Sequence, residues 1–385
     1  MKNTKEFVAD KYQQLAEALS LDTEALKKYP DLIDLSIGDT DIITDEQVIN
    51  AAFNDAKAGY TKYGSPNGDA ELIKAVVDMY QEDFNQTLCE EQVLITASSC
   101  LGMSISLMAV INPGDEVLVF SPYFSLYINQ IELAGGVPVI VNLHQEDGYS
   151  LNKQVIQSKI TEKTKALIFN NPCNPTGVFY GLEDLQVIAD VAIEHDLLVF
   201  ADEIYTYYAF GEKFIPIRSL DGMEKRTLTL NSFSKNFMMT GWRVGYIVAE
   251  KEFLEVINYI NGSLIYTVPS ISQRAAIKAL SIREELREKY IQEYKRRVEY
   301  AYKRLSSMPY LEVVQPKGTF YIFPNVKKTG MDGKEFVEYL LENCQILASP
   351  GHLFGETGKD NIRMALTKNM DMLEKAFDRM EKLRF

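Results

Sequence analysis

From about residue 91 onward, the sequence alternates between short apolar runs and longer segments of mixed polarity. The apolar runs are candidate strands at 92–96 (QVLIT), 116–120 (EVLVF), 137–141 (VPVIV), 165–169 (KALIF), 197–201 (LLVFA), 227–230 (TLTL) and 244–249 (VGYIVA). Between them, 98–111 and 182–196 carry apolar residues at spacings of three and four, which is typical of amphipathic helices. Alternating strands and helices predict an α/β fold with a mostly parallel sheet that is covered by helices on both faces.

The pattern changes near residue 283, where a long charged segment begins. In 283–307, Glu and Arg or Lys recur at spacings that support a helix, and we expect this helix to bridge two domains. It is followed by predicted strands at 318–324 and 361–366 and predicted helices at 333–343 and 369–383. This set of elements predicts a smaller α+β unit beside the large sheet.

Composition and charge argue against several function classes. The sequence has 40 Lys and Arg against 54 Asp and Glu, and the resulting formal charge of -14 would repel the phosphate backbone of nucleic acid. The longest weakly polar run is about a dozen residues, which is shorter than the roughly 20 that a membrane-spanning helix needs. The N-terminal segment lacks the apolar core of a secretion signal. We therefore expect a cytoplasmic protein that binds neither nucleic acid nor membranes.

Cysteines and histidines are scattered along the chain. The cysteines are Cys89, Cys100, Cys173 and Cys344, and the histidines are His144, His195 and His352. The absence of CxxC spacing favours reduced thiols over a disulfide framework or a zinc site. No HxxxH or HExxH pair occurs, so we expect no metal centre.

Chemically versatile side chains follow several of the predicted strands, and ligands of open α/β sheets bind at the carboxyl ends of strands. These residues are Ser99, Cys100, Asn174, Asp202, Tyr205, Lys235 and Arg243. Each alone also has an ordinary explanation as a helix start, a turn or a solvated charge. Together they suit pyridoxal phosphate: a helix N-terminus can hold phosphate, an amine can form a Schiff base with the aldehyde, and a carboxylate can keep the pyridine nitrogen protonated.

Eight motifs, in order, resemble those of class I/II aminotransferases of the fold-type-I pyridoxal-phosphate-dependent superfamily. They are DLSIGD, YTKYGSPNGDAELIKAV, PGDEVLVFSPYFSLY, NNPCNPTG, ADEIY, SFSKNFMMTGWRVGY, PKGTFYIFP and NIRMAL. The resemblance covers essentially the whole chain. It implies transamination between an L-amino acid and a 2-oxo acid, and a homodimer with shared active sites.

The resemblance also implies the domain organisation. We expect a large domain with a mostly parallel seven-stranded sheet flanked by helices, and a smaller α+β domain formed by both chain termini. Residues 1–44 would form the N-terminal arm and part of the small domain. Residues 45–282 would form the pyridoxal-phosphate-binding domain, and residues 283–385 the small C-terminal domain.

For the cofactor ring, the resemblance implies five residue roles. Lys235 would carry the Schiff base and move the proton between the substrate Cα and the cofactor C4′. Asp202 would pair with the pyridinium nitrogen. Tyr205 and Asn174 would donate to the 3′ oxygen, and Phe124 would stack on the ring.

For the cofactor phosphate, the resemblance implies a cradle of backbone and side-chain donors. The N–H groups of Ser99 and Cys100 would bind it together with Ser232 and Arg243, and Tyr63 would reach it from the partner subunit. Members of the family usually have GG or GA where this chain has SSCLG, so the local backbone is a departure from the family pattern.

For the substrate, the resemblance implies that Arg363 grips the α-carboxylate through two parallel hydrogen bonds, with Gly38 and Asn174 beside it. Subgroups that use dicarboxylic amino acids carry a second cation, which aligns with Ser263 in one subgroup and with Cys100 in another. Neither residue is basic here. Because a buried, unpaired carboxylate costs several kcal/mol, a neutral or aromatic donor is expected, with aspartate as an alternative.

Other functions remain alternatives. A carbon–sulfur lyase could use the same residues for β-elimination. A non-catalytic cofactor-sensing domain is a remote alternative, because such a domain is normally fused to a basic DNA-binding module. A nicotinamide-dependent dehydrogenase is disfavoured, because no GxGxxG follows any of the apolar runs.

Overall fold

The computed structural model describes residues 7–9 and 28–385. Most of the predicted N-terminal arm therefore lies outside the described residues. The strands are β1 (Ile33–Asp34), β2 (Val93–Thr96), β3 (Glu116–Ser121), β4 (Val137–Asn142), β5 (Thr164–Asn170), β6 (Leu198–Asp202), β7 (Thr227–Ser232), β8 (Gly245–Val248), β9 (Tyr321–Ile322), β10 (Ile346–Leu347), β11 (Ser349–Pro350) and β12 (Ile362–Ala365).

The helices lie between these strands and around them. They are α1 (Glu46–Lys57), α2 (Ala70–Phe84), α3 (Ser99–Val110), α4 (Tyr127–Leu133), α5 (Lys153–Gln157), α6 (Leu182–Glu194), α7 (Phe233–Asn236), α8 (Lys251–Ile265), α9 (Ser270–Ser281), α10 (Arg283–Leu286), α11 (Gln292–Ser306), α12 (Gly333–Cys344) and α13 (Met370–Met380).

Strands β2 to β8 form one seven-stranded sheet in the order β2-β8-β7-β6-β5-β3-β4. Neighbouring strands are parallel in the part of the sheet that contains β7, β6, β5, β3 and β4. Strand β8 is antiparallel to both of its neighbours, β2 and β7. All residues of β2, β7 and β8 are buried, as expected for strands that are covered on both faces. The predicted α/β fold with a mostly parallel seven-stranded sheet is confirmed, and each predicted apolar run coincides with one strand.

A separate apolar core joins segments from both ends of the chain. Ile33 and Leu35 pack in it with Val298, Leu340 and Phe377. Strand β1 pairs in parallel with β10, and β9 and β11 flank β12 in an antiparallel sheet. This core is the smaller α+β unit, while the domain limits at residues 44/45 and 282/283 stay predictions.

The predicted helix over 283–307 is interrupted in the structure. A π-helical turn at Arg287–Ile291 separates α10 from α11, where the sequence pattern predicted one continuous helix. At this turn, Lys289 and Tyr290 contact the Asp45 carboxylate at 3.0 and 2.9 Å. A π turn widens the helix locally, and such turns are frequent at functional sites. Tyr294 packs in the core beside the large sheet and Val298 packs in the smaller core, so the helix connects the two.

Candidate active site

A cavity of about 160 Å³ lies at the carboxyl ends of β6 and β7. Residues that the sequence singled out line it: Ser99, Cys100, Phe124, Asp202, Ser232, Lys235 and Arg243. They come from five separate segments of the chain. The sheet topology brings them together, because the carboxyl ends of neighbouring parallel strands meet at one edge.

Asp202 ends β6 and is buried, with 7% of its surface exposed. The Tyr127 hydroxyl donates to its Oδ2 at 2.5 Å, whereas Oδ1 is buried without a hydrogen-bond partner. Burial raises the pKa of Asp202 to about 6, although the hydrogen bonds from Tyr127 and the Ile204 backbone act in the opposite direction. A buried carboxylate oxygen without a partner is costly and fits a ligand that brings a charged N–H group.

Lys235 follows β7 on the short helix α7. Ser232 caps this helix, since its Oγ accepts from the Ser234 N–H at 3.0 Å. The Lys235 Nζ donates to the Gly38 carbonyl oxygen at 2.6 Å and lies 5.7 Å from the centre of the Phe320 ring. A neutral oxygen and an aromatic face therefore hold the amine at the cavity.

One end of the cavity has the features of an anion site. Helix α3 begins at Ser99, so its unpaired N–H groups and the positive end of its dipole lie at the cavity. A Cβ on Gly245 would be 2.8 Å from the Ser99 nitrogen, so glycine is needed for the strand to approach the helix start. Arg243 lines the same cavity in a left-handed backbone conformation, with φ of 53°, which is uncommon for a residue other than glycine.

Arg363, on β12, is buried and held from several directions. Its Nη1 donates to Asn174 Oδ1 at 3.2 Å, and its Nη2 donates to the Ser36 carbonyl oxygen at 2.5 Å and to Ser349 Oγ at 3.3 Å. The guanidinium lies between two rings, 4.6 Å from the centre of Tyr321 and 4.7 Å from that of Phe354. Its Nε is buried without a hydrogen-bond partner. The fixed guanidinium therefore retains capacity for a ligand acceptor.

The segment 36–38 connects the two halves of the site. The Ser36 carbonyl accepts from Arg363, and two residues later the Gly38 carbonyl accepts from Lys235. A Cβ on Gly38 would lie only 1.8 Å from the Tyr321 hydroxyl oxygen, so this close approach requires glycine. The amine and the guanidinium are thus placed by one short stretch of backbone.

Tyr205 is buried next to this segment and donates to the Tyr321 hydroxyl at 3.3 Å. Burial raises the pKa of the Tyr205 phenol well above its ordinary value, and the neighbouring Tyr321 adds to the rise. Tyr205 therefore remains protonated near neutral pH and is available as a hydrogen-bond donor.

Comparison with known proteins identifies the family. A sequence model of the family described as aminotransferase class I and II matches residues 30–380. This chain belongs to the class I and II aminotransferases. The predicted resemblance is confirmed, and the chain is an enzyme of the transferase class that catalyses transamination.

Relatives and solved structures of similar length resemble this aminotransferase over nearly the whole chain. The aspartate aminotransferase of Pyrococcus abyssi is 38% identical over 92% of both chains, and aromatic-amino-acid aminotransferase 2 of Thermococcus litoralis is 37% identical over 91% of both. The aromatic aminotransferase of Pyrococcus horikoshii superposes with a TM-score of 0.89 at 35% identity, covering 94% of this chain and 97% of the other. The Thermus thermophilus aspartate aminotransferase with maleate gives 0.88 at 30% identity, covering 94% of each chain.

Five predicted site residues of the aminotransferase do not line this cavity: Gly38, Asn174, Tyr205 and Arg363, which make the contacts described above, and Tyr63. Tyr63 is 82% exposed, and its ring packs edge-to-face on Tyr266 with ring centres 4.9 Å apart. The role of Tyr63 in a partner's site stays a prediction of the sequence.

The sequence interpretation missed several residues of the site. Tyr127, Gln130, Tyr321, Ser36 and Ser349 contact predicted site residues. Gln130 Nε2 donates to the Cys100 carbonyl at 3.0 Å in the first turn of α3, while its Oε1 is buried without a partner. The only available signal was position: Tyr127 lies three residues after Phe124, and Tyr321 lies within the motif PKGTFYIFP.

Three further observations concern the described residues. No helix in the described part of the chain is long and apolar enough to cross a membrane. Over the same residues, no group of three or more His, Cys, Asp or Glu side chains is placed to hold a metal ion. The four cysteines are free thiols, and burial raises the pKa of Cys100 and raises that of Cys173 to about 11.

Proposed function

We propose that this aminotransferase uses pyridoxal phosphate to exchange an amino group between a neutral or aromatic L-amino acid and a 2-oxo acid. The observation that carries the cofactor assignment is the unpartnered Oδ1 of buried Asp202 in a cavity that also contains Lys235. A protonated pyridine nitrogen would satisfy that oxygen. The resulting ion pair would lower the pKa of Asp202 below about 6 and keep the carboxylate charged at neutral pH.

The residues around the cavity have complementary roles in this proposal. When bound, pyridoxal phosphate supplies an aldehyde that condenses with an amine and a ring that takes up electrons as the substrate Cα–H bond breaks. Lys235 would hold the cofactor at rest, and after release it would accept the Cα proton as a general base and return it. Phe124 would cover the ring face, and Tyr205 and Asn174 would donate to the ring oxygen.

The two ends of the site would fix the orientation of the reacting groups. The N–H groups of Ser99 and Cys100, together with Ser232 and Arg243, would hold the phosphate. The Ser232 hydroxyl donates to Ser234 Oγ at 2.8 Å, so the two serine hydroxyls would act together at the phosphate. At the other end, Arg363 would bind the substrate α-carboxylate, with Gly38 alongside.

The preference for a neutral donor rests on the cations near the cavity. Lys235 and Arg243 are the cations among the described residues that line it, and both are assigned to the cofactor. Cys100 is neutral, and the exposed Ser263 donates to the Tyr259 carbonyl. A substrate with a second carboxylate would bury it without a partner. Aspartate stays an alternative, because curated relatives include aspartate aminotransferases as well as an aromatic one.

A half-reaction panel tests the proposal. Single L-amino acids are mixed with the cofactor-loaded enzyme, and the absorbance of the cofactor is followed. Phenylalanine, tyrosine or leucine should convert the cofactor at least about tenfold faster than aspartate, because an unpaired buried polar group costs about 1–3 kcal/mol and an unpaired carboxylate costs more. Equal or faster conversion by aspartate would overturn the neutral preference. Pyruvate and ammonia from cysteine-like substrates without a 2-oxo acid would instead support β-elimination.

The proposed homodimer is supported by an exposed aromatic surface. Tyr63 and Tyr266 pack together and are 82% and 59% exposed, and Tyr259 and Leu264 on the preceding helix are 78% and 54% exposed. Exposed apolar clusters of this kind mark interaction sites. We assign this surface to a second copy of the chain, which would bring Tyr63 to the phosphate of the partner. The cytoplasmic location stays a prediction of the sequence.

A further inference from the structure

Tyr321 lies where the cofactor end and the carboxylate end of the proposed site meet. Its hydroxyl is 3.3 Å from the Tyr205 hydroxyl, and the Arg363 guanidinium is 4.6 Å from the centre of its ring. Its hydroxyl oxygen also occupies the place where a Cβ of Gly38 would lie. Tyr321 is 3% exposed, so these contacts are shielded from water. One side chain therefore touches a predicted cofactor donor, the predicted carboxylate anchor and the segment that holds Lys235.

The strand pairing fixes this placement. In the antiparallel pair of β9 and β12, Tyr321 stands opposite Ala365. Arg363 is two residues from Ala365 along β12, so it projects from the same face of the sheet as Tyr321. Diagonal neighbours on one face are within reach of long and aromatic side chains, and here the guanidinium reaches the ring.

The backbone before Tyr321 adopts an unusual conformation. Thr319 has φ of 59°, in the left-handed region that a β-branched residue rarely adopts. Its hydroxyl accepts from the Tyr321 N–H at 3.0 Å, and its own N–H donates to the Tyr208 carbonyl. Such strained positions persist where the surroundings fix them and cluster at functional sites. Here the strained residue fixes the backbone nitrogen of Tyr321.

We infer that Tyr321 is a positioning residue that couples the two ends of the site: its ring orients Arg363, and its hydroxyl strengthens Tyr205 as a donor. This inference rests on the proposed function. A hydroxyl both donates and accepts. When Tyr205 turns its proton toward the ring oxygen of the cofactor, Tyr321 can donate to Tyr205 in turn. Hydrogen bonds in such a chain polarise one another, so Tyr205 would bind that oxygen more tightly.

The two contributions are separable by substitution. Tyr321→Phe removes the hydroxyl and keeps the ring, whereas Tyr321→Leu removes both. Tyr310→Phe is the matched control, because the Tyr310 hydroxyl is also buried but donates to the Met380 carbonyl in the smaller core. The measurements are the pH midpoint of the visible absorption band of the cofactor-loaded enzyme and the steady-state KM and kcat for the best amino donor. A thermal melt of each variant monitors folding.

In Tyr321→Phe the pH midpoint should rise by about half a pKa unit, because a weaker Tyr205 donor leaves the ring oxygen more basic. The KM for the amino donor should stay near that of the wild type. In Tyr321→Leu the midpoint should rise equally, and the KM should increase about tenfold while kcat changes less, because Arg363 loses one of its two supporting rings. The Tyr310→Phe control should leave both values unchanged.

Two results would overturn the inference: an unchanged midpoint in Tyr321→Phe, or the same KM in the Phe and Leu variants. A wild-type enzyme that shows no visible band with the cofactor would instead overturn the proposed function, and the inference with it. The two failures are therefore distinguishable in one set of spectra.

Discussion

The Tyr127 hydroxyl donates to Oδ2 of Asp202 at 2.5 Å and leaves Oδ1 of the same carboxylate without a partner. Burial and the neighbouring charge of Asp202 raise the pKa of Tyr127 well above its ordinary value, so it remains a donor over the working pH range. The phenol thus orients the carboxylate and favours its charged form. The oxygen that remains is the one we assign to the cofactor.

Substitution of Tyr127 by Phe should weaken cofactor binding. Without the hydroxyl, the pKa of Asp202 rises further and less of the carboxylate is charged, so the affinity for pyridoxal phosphate should fall about tenfold, the equivalent of one hydrogen bond to a charged group. Titration of the apoenzyme with pyridoxal phosphate measures this change. Tyr310→Phe serves as the control, and an unchanged dissociation constant in Tyr127→Phe would contradict the role of Tyr127.

Mixed dimers test whether Tyr63 acts across the subunit interface. A Lys235→Ala chain and a Tyr63→Phe chain should each form weakly active homodimers. When both are co-expressed and assemble at random, half of the dimers are mixed, and each contains one site with an intact lysine and an intact tyrosine. Activity should then recover to about a quarter of the wild-type value, because one of the two sites is intact in half of the dimers. If Tyr63 acts within its own chain, no recovery will occur.

Gly38 is predicted to tolerate no side chain. In Gly38→Ala the new methyl group would collide with the Tyr321 hydroxyl at 1.8 Å and shift the carbonyl that holds Lys235. We expect kcat/KM to fall about a hundredfold, because small displacements of catalytic groups are costly. The double variant Gly38→Ala with Tyr321→Phe should recover part of this loss, since the nearest clashing atom is removed.

The matched control for Gly38→Ala is Gly262→Ala, because a Cβ at Gly262 would meet nothing within 4 Å. Its activity should equal that of the wild type. Full activity in Gly38→Ala, or a double variant no more active than the single one, would show that the contact with Tyr321 does not set the position of this segment.

Much of the fold could be predicted from the sequence, because the signals were local. Each of the seven strands of the large sheet coincides with an apolar run, and Asp202 and Lys235 could be found because each follows such a run. The interruption at Arg287–Ile291 could not be predicted. The contacts of Lys289 and Tyr290 at this turn are with Asp45, more than 240 positions away in the chain.

The missing site residues were hidden for a different reason. SPYFSLY offers Tyr123, Phe124 and Tyr127 within five positions, and only the start of α4 at Tyr127 places that hydroxyl on Asp202. Tyr321 likewise depends on the register between β9 and β12. Side chains whose role depends on packing between distant strands leave no local signal in a single sequence.

Glu203 should make the stability of the apoenzyme pH-dependent. Glu203 directly follows Asp202 in the sequence and is buried. Burial raises its pKa to about 8. Because this folded-state pKa exceeds the ordinary glutamate value of 4.5, the contribution of Glu203 to stability is fully present below pH 4.5 and is lost as pH rises through 8. Glu203→Gln should therefore be more stable than the wild type at pH 9 by on the order of 5 kcal/mol, and at pH 6.5 by roughly half as much.

Urea unfolding of the apoenzyme at pH 6.5 and 9 measures this difference. Asp202, whose pKa is about 6, has lost most of its proton by pH 6.5, so Glu203 dominates the change between the two conditions. Glu183→Gln, at an exposed position in the first turn of α6, is the matched control and should not alter the pH dependence. If the free energy of unfolding falls equally in the wild type and in Glu203→Gln between pH 6.5 and 9, Glu203 is not the group that causes the pH dependence.

The central claim is that the Lys235 amine binds the cofactor covalently, and borohydride reduction tests it most directly. Enzyme saturated with pyridoxal phosphate is reduced and digested, and the peptides are analysed by mass spectrometry, with Lys235→Arg treated in the same way. The account predicts a stable phosphopyridoxyl group on the peptide that contains Lys235, and none in the variant. Absence of a reduced adduct in the wild type, or an adduct chiefly on another lysine, would contradict it.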